Sequence, residues 1–142
     1  MAGAGLAVGG RSLQAAQTVG DALPMRVLGR TGAKVTILGL GTAPIGEARV
    51  EVPKAAAIFA EVIDRGVTYV DTARGYGIAE EALGQVLPAR RDKVFLVTKC
   101  FEPDGEKARR LLEQNLKQLQ TDHADLVYAH AVGSDPMPPE QI

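Results

Sequence analysis

The chain has 142 residues, 46% of them hydrophobic and 23% charged, with a formal net charge of −1. A near-neutral balance without a basic patch argues against a nucleic-acid partner, and no apolar run approaches the ~20 residues of a membrane span. The single cysteine, Cys100, excludes an internal disulfide, leans towards a reducing compartment and reads as a buried bystander at a strand end.

Residues 1–23 are rich in Gly, Ala, Gln and Ser without a clear period and read as a flexible tail. The alternative is the remnant of an export signal. Against it, the apolar stretch 2–10 has no positive charge ahead of it, and Arg11 comes after. A cytoplasmic location is expected, or an exported one if the tail is a truncated signal. The domain itself is expected over 24–142.

Residues 25–28 and 34–37 are β-type runs flanking Gly29-Arg30-Thr31-Gly32, the pattern of a hairpin. No Gly-Lys-Ser/Thr follows these glycines, so they are not a phosphate loop. In Gly39-Leu40-Gly41-Thr42-Ala43-Pro44, Pro44 stands where the dinucleotide fingerprint needs its third glycine, which disfavours a Rossmann fold. From Pro53 the period turns helical, with Ala55, Ile58, Phe59, Val62 and Ile63 on one stripe and Gly66 just past the end. A second helix is expected over 79–87, stopped at Pro88, and then a charged turn over 90–93. Asp104 can cap a third, whose stripe is Ala108, Leu111, Leu112, Leu116 and Leu119. His123 falls in a polar turn without a converging partner and reads as structural.

Four apolar runs, 37–41, 67–70, 94–98 and 124–129, recur at the length of a βαβ unit and lead into Thr42, Asp71, Lys99 and His130. Near-continuous apolar strands alternating with helices imply a parallel sheet covered on both faces. The polar strand ends favour a barrel over an open doubly wound sheet, because barrel active sites lie where strands end. A full barrel needs roughly 250 residues. The expectation is therefore α/β: the N-terminal half of a TIM (β/α)8 barrel, about four parallel β/α units preceded by a β-hairpin. Such a fragment leaves strands 37–41 and 124–129 as open edges, through which self-association is expected.

Asp71, Tyr76, Lys99 and His130 would converge on one mouth. Hydride addition to a carbonyl needs the oxygen to be protonated or strongly polarised. A phenol can give that proton, and moving its pKa from about 10 to around 7–8 takes roughly 3–4 kcal/mol. One ammonium about 4 Å away, at an effective dielectric of 20, supplies about 4 kcal/mol. Lys99 can play this part if Asp71 holds it in place, and His130 can hydrogen-bond the substrate oxygen or relay the proton. Gly75 and Gly77 on either side of Tyr76 suit a side chain pushed into a cleft.

These residues carry a resemblance. Val67-Thr68-Tyr69-Val70-Asp71-Thr72-Ala73, then Tyr76-Gly77 and Ala79-Glu80-Glu81-Ala82-Leu83-Gly84, resemble the signature stretch of the aldo/keto reductase family. Leu28-Gly29-Arg30-Thr31-Gly32 with Leu38-Gly39-Leu40-Gly41-Thr42 is similar to that family's opening. The stretch from Lys93 to Lys99 resembles its third strand, and Leu119-Gln120-Thr121-Asp122-His123 with Asp125-Leu126-Val127-Tyr128 and His130 its fourth. The resemblance spans about residues 24–132. It implies a TIM barrel, NADP(H) as hydride carrier, a small-molecule carbonyl substrate and a catalytic tetrad of Asp71, Tyr76 as general acid, Lys99 and His130. It also implies cofactor contacts from Gly41, Thr42 and Asp71, and no metal. The family's second half, which grips most of its cofactor, lies beyond the match. The alternative function is a non-catalytic interaction or regulatory protein on the same scaffold, since fold alone does not decide activity. Glycoside hydrolysis fails for want of paired carboxylates at the strand ends.

Overall fold

Alternation along short apolar strands dictates a two-faced sheet, and the helical stripes supply what covers one face. The structure, a computed structural model, describes residues 22–130. The expected tail lies outside them apart from Ala22 and Leu23, as does the Gly- and Pro-rich segment after His130. Strands β1 (Met25–Val27) and β2 (Lys34–Thr36) form the expected antiparallel hairpin. Its turn needs glycine at Gly29 (φ +53°) and Gly32 (φ +77°) and is closed by the Leu28 amide donating to the Ala33 carbonyl at 2.8 Å. A reciprocal pair fastens the hairpin to the main sheet. The Thr36 amide donates to Thr68 Oγ1 at 2.9 Å, and the Thr68 amide to Thr36 Oγ1 at 3.0 Å.

The main sheet is parallel throughout, in the order β3 (Gly39–Gly41), β4 (Tyr69–Asp71), β5 (Phe95–Cys100), β6 (Leu126–Ala129). Helices α1 (Ala43–Gly46), α2 (Val52–Asp64), α3 (Ala79–Gly84) and α4 (Gly105–Leu119) alternate with the strands, with two 3₁₀ turns, Leu87–Ala89 and Arg91–Lys93, before β5. Leu40, Val70 and Leu96 face the helices and pack with Phe59, Ile63, Leu83, Leu87 and Leu119 into one core. Burying side chains of this size is worth about 1.5–3 kcal/mol each. On the opposite face Tyr69 and Phe95, paired in register, stack with ring centroids 5.9 Å apart. The entry to β6 is locked by Arg91, whose guanidinium donates to Asp125 Oδ2 (2.7 Å), Thr121 Oγ1 and the Val94 carbonyl, while Asp125 also accepts from the Leu96 amide.

Several boundaries differ from the sequence-based expectation. Residues 37–41 do not all form a strand: Ile37 and Leu38 are 62% and 57% exposed in the bend that carries the chain from hairpin to sheet. The second helix ends at Gly84, and Pro88 lies within a 3₁₀ turn, where a missing N–H costs little. The helical turn α1 was not foreseen, because four residues containing Pro and Gly show no period. Asp71 and Lys99 lie inside their strands and not just past them. On α4, Asp104 Oδ1 accepts from the Lys107 amide as expected, at 2.9 Å. Of its stripe only Leu119 is fully buried, while Ala108, Leu111, Leu112 and Leu116 are half-buried and Asn115 is buried completely. Among the described residues no helix is long and apolar enough to cross a membrane.

Candidate active site

In a parallel sheet the carboxyl ends of all strands lie at one edge, so residues that end successive strands must meet there. Asp71 is the last residue of β4, and Lys99 lies on β5 two residues beyond Val97, the register partner of Asp71. Both are odd-numbered neighbours of Tyr69 and Phe95 and share the face turned away from the helices. The Lys99 ammonium donates to Asp71 Oδ1 at 2.6 Å and to the Thr72 carbonyl at 3.1 Å. The Lys99 side chain is 11% exposed and that of Asp71 27%. A half-buried pair of this kind is screened less than a surface one, so the ammonium is held in a single place.

Tyr76 comes from the loop between β4 and α3. Its ring lies beneath that ammonium, 5.0 Å from Lys99 Nζ to the centroid. Close backbone contacts hold the loop around Tyr76. The Ile78 amide donates to the Gly46 carbonyl at 3.0 Å, and a Cβ on Gly77 (φ +53°) would stand 2.2 Å from the same oxygen. Gly46 is as constrained, since its Cβ would fall 2.1 Å from the Tyr76 carbonyl. Helix α1 is therefore the seat on which Tyr76 is carried. His130 follows β6 directly, its amide donating to the Cys100 carbonyl at 2.6 Å, and its ring meets Tyr76 edge-on with centroids 5.8 Å apart. The four residues singled out from sequence are thus brought together at one end of the sheet.

Gly41 ends β3, and a Cβ there would meet nothing within 4 Å, so the floor beside Asp71 is open. Thr42 is buried, with its amide and hydroxyl both donating to the Asp71 carbonyl at 3.0 Å. Thr72 Oγ1 is buried without a partner among the described residues. The open floor beside Asp71 leaves room for a flat polar ring. Among the described residues, Lys99 and Arg74, cations held next to the site, face Asp71 and Glu80 respectively. These residues therefore suit the nicotinamide end of a dinucleotide and not its phosphates.

His123 stands apart in its turn, exposed, with Nδ1 2.6 Å from Asp122 Oδ1. Cys100 is buried at the end of β5. Among the described residues no group of His, Cys, Asp and Glu gathers as a metal site. Sequence reasoning passed over Glu80, Thr98 and Asn115, a buried polar string behind Lys99. Thr98 Oγ1 donates to Glu80 Oε1 at 3.2 Å, and Asn115 Nδ2 lies 3.4 Å from Thr98 Oγ1. Burial pushes the Glu80 carboxyl above the usual range against the opposing pull of Thr98 and Arg74. The available signal was Asn115, a polar residue seven positions after Ala108 and hence on the helix's own apolar stripe.

A parallel β/α sheet with Asp, Lys and His at its strand ends and Tyr in the loop between two of them defines a class, and comparison with known proteins identifies it. Residues 37–141 match the model of the aldo/keto reductase family, and the chain belongs to that family. It is 31% identical to the L-galactose dehydrogenase of Arabidopsis thaliana over 123 residues, 78% of this chain and 39% of that protein. Among solved structures, an aldo-keto reductase from Pseudomonas aeruginosa superposes with a TM-score of 0.73 at 36% identity, covering 84% of this chain and 51% of that one. One from Klebsiella pneumoniae, in complex with NADPH, does so with a TM-score of 0.65 at 36% identity, covering 74% and 38%. The chain thus spans about two-fifths to one-half the length of these relatives, and its four parallel strands alternating with helices are those of a TIM barrel.

Proposed function

We propose that the protein reduces aldehydes or ketones with NADP(H), Tyr76 acting as general acid. The observation that carries this reading is the Lys99 ammonium, fixed by Asp71 at 2.6 Å and lying 5.0 Å from the centroid of the Tyr76 ring. A cation over that ring favours negative charge developing on the phenol oxygen. Asp71 holds the lysine in place, and its own charge is offset in doing so. The His130 ring meets Tyr76 edge-on, where an imidazole can donate to the carbonyl oxygen before the phenol proton moves. Gly41, Thr42 and Asp71 would hold the nicotinamide end of the cofactor, which supplies the hydride when bound. The Klebsiella relative's NADPH supports that choice of carrier, and a reducing, cytoplasmic setting suits the buried Cys100 thiol.

Replacing Tyr76 by phenylalanine removes the proton and leaves the ring. In the complete protein, carbonyl reduction by the Tyr76→Phe variant should fall by about 10²–10⁴-fold, with NADPH binding unchanged by fluorescence titration. Turnover equal to the parent's would exclude Tyr76 as the acid. If the parent and the variant bind NADPH alike and neither reduces a panel of carbonyl compounds, the interaction or regulatory reading on this scaffold is the correct one.

A further inference from the structure

Strand β5 is longer than its neighbour β4, and this leaves one peptide of the site without a strand to pair with. Odd-numbered residues of β5 pair towards β4: the Phe95 amide donates to the Thr68 carbonyl, and the Thr72 amide donates to the Val97 carbonyl at 2.9 Å. Even-numbered ones pair towards β6, with Asp125 donating to Leu96 and His130 to Cys100. Lys99 continues the odd series, but β4 has ended at Asp71 and the chain beyond Thr72 has turned away into the Tyr76 loop. The Lys99 carbonyl therefore overhangs the end of β4. What reaches it is the carboxamide of Asn115, from α4 on the helix side of the sheet, with Nδ2 donating at 3.3 Å.

Asn115 is fully buried, and so is Thr98 beside it. A buried amide on an apolar helix stripe is costly unless it satisfies something that would otherwise be left unpaired. Here that something is the backbone of Lys99. The residue is thus gripped from both faces: its ammonium by Asp71 and Thr72 on the open face, its carbonyl by Asn115 through the sheet.

We infer that Asn115 is a positioning residue for Lys99, fixing the overhanging peptide so that the ammonium stays over the Tyr76 ring. This rests on the reductase reading given above for what Lys99 does, but the placement of Lys99 is measurable without any turnover. Asn115→Leu keeps the volume and removes the donor. Thr98→Val disturbs the same buried string and leaves the Asn115–Lys99 bond in place.

In the full chain, acetylation by a water-soluble acylating reagent, read by peptide mass spectrometry, should label Lys99 several-fold faster relative to Lys93 in Asn115→Leu than in the parent. Thr98→Val should label at the parental ratio even where its melting temperature falls as far. Where carbonyl reduction is measured, Asn115→Leu should lower kcat and shift the pH profile while leaving the KM for NADPH alone. Equal Lys99 labelling in parent and Asn115→Leu would overturn the inference, as would a matching rise in Thr98→Val. If Asn115→Leu does not fold, Asn115→Ala, which also lacks the donor, is read by the same ratio. Failure of the reductase reading would show separately, as turnover unaffected by Tyr76→Phe.

Discussion

Glu80 carries a charge problem that its neighbours do not solve. It is 2% exposed, and while Oε1 accepts from Thr98, Oε2 has no hydrogen-bond partner among the described residues and lies 3.9 Å from Arg74. Burial raises its pKa, so the folded state binds the proton more tightly than the unfolded chain does. Stability from this group is then complete below the unfolded value, about 4.3, and is lost as pH rises through the folded one. Glu80→Gln should accordingly melt higher than the parent at pH 8 and lose that advantage by pH 4. Melting curves that stay parallel across this range would show Glu80 to be ionised in the fold without penalty. Glu80 was not legible from sequence because Glu80-Glu81 opening a short helix looks like an exposed, dipole-matching pair. Asp71, Lys99 and His130 were legible for the opposite reason. A polar residue closing an apolar run has few structural excuses, and here three of them fall on adjacent strands.

The elements with length and period were readable: α2 and α4 run close to their expected spans, and the hairpin lies where its glycines point. The short ones were not. Helix α1 has four residues, too few for any stripe, and its importance lies in a contact distant in sequence, Gly46 against Gly77. Gly46→Ala forces a methyl to within 2.1 Å of the Tyr76 carbonyl and 2.7 Å of Ala79 Cβ, neither of which can yield cheaply. The expected cost is about 3 kcal/mol in denaturant unfolding, at the upper end of what overpacking exacts. Gly75→Ala, one residue before Tyr76 and with nothing within 4 Å, should be nearly silent in the same measurement. Equal effects would mean that α1 does not seat the loop. The half-covered stripe of α4 also has an element-level cause: α3 packs along one side of it, and no described helix lies along the other.

Across the described residues, the sheet has helices on one face, a hairpin pinned to it by Thr36 and Thr68, and two strands, β3 and β6, that pair on one side only. Val127 and Tyr128 on β6 are exposed, as are Ile37 and Leu38 before β3. Unpaired backbone flanked by apolar side chains invites strand addition, so residues 1–142 by themselves should sediment as dimers or larger species at micromolar concentration. A monomer with a sharp melt would refute this. The sheet's order has one more effect, on the sequence of events when the site loosens. A central strand must break two ladders to leave, an edge strand one. Lys99 and Asp71 belong to the two central strands, whereas His130 hangs from β6 by its amide bond to Cys100. Fraying therefore strips the imidazole from Tyr76 while the lysine stays beneath its carboxylate, so the centre comes apart from its rim inward, losing the group that would steer a carbonyl before the one that would protonate it.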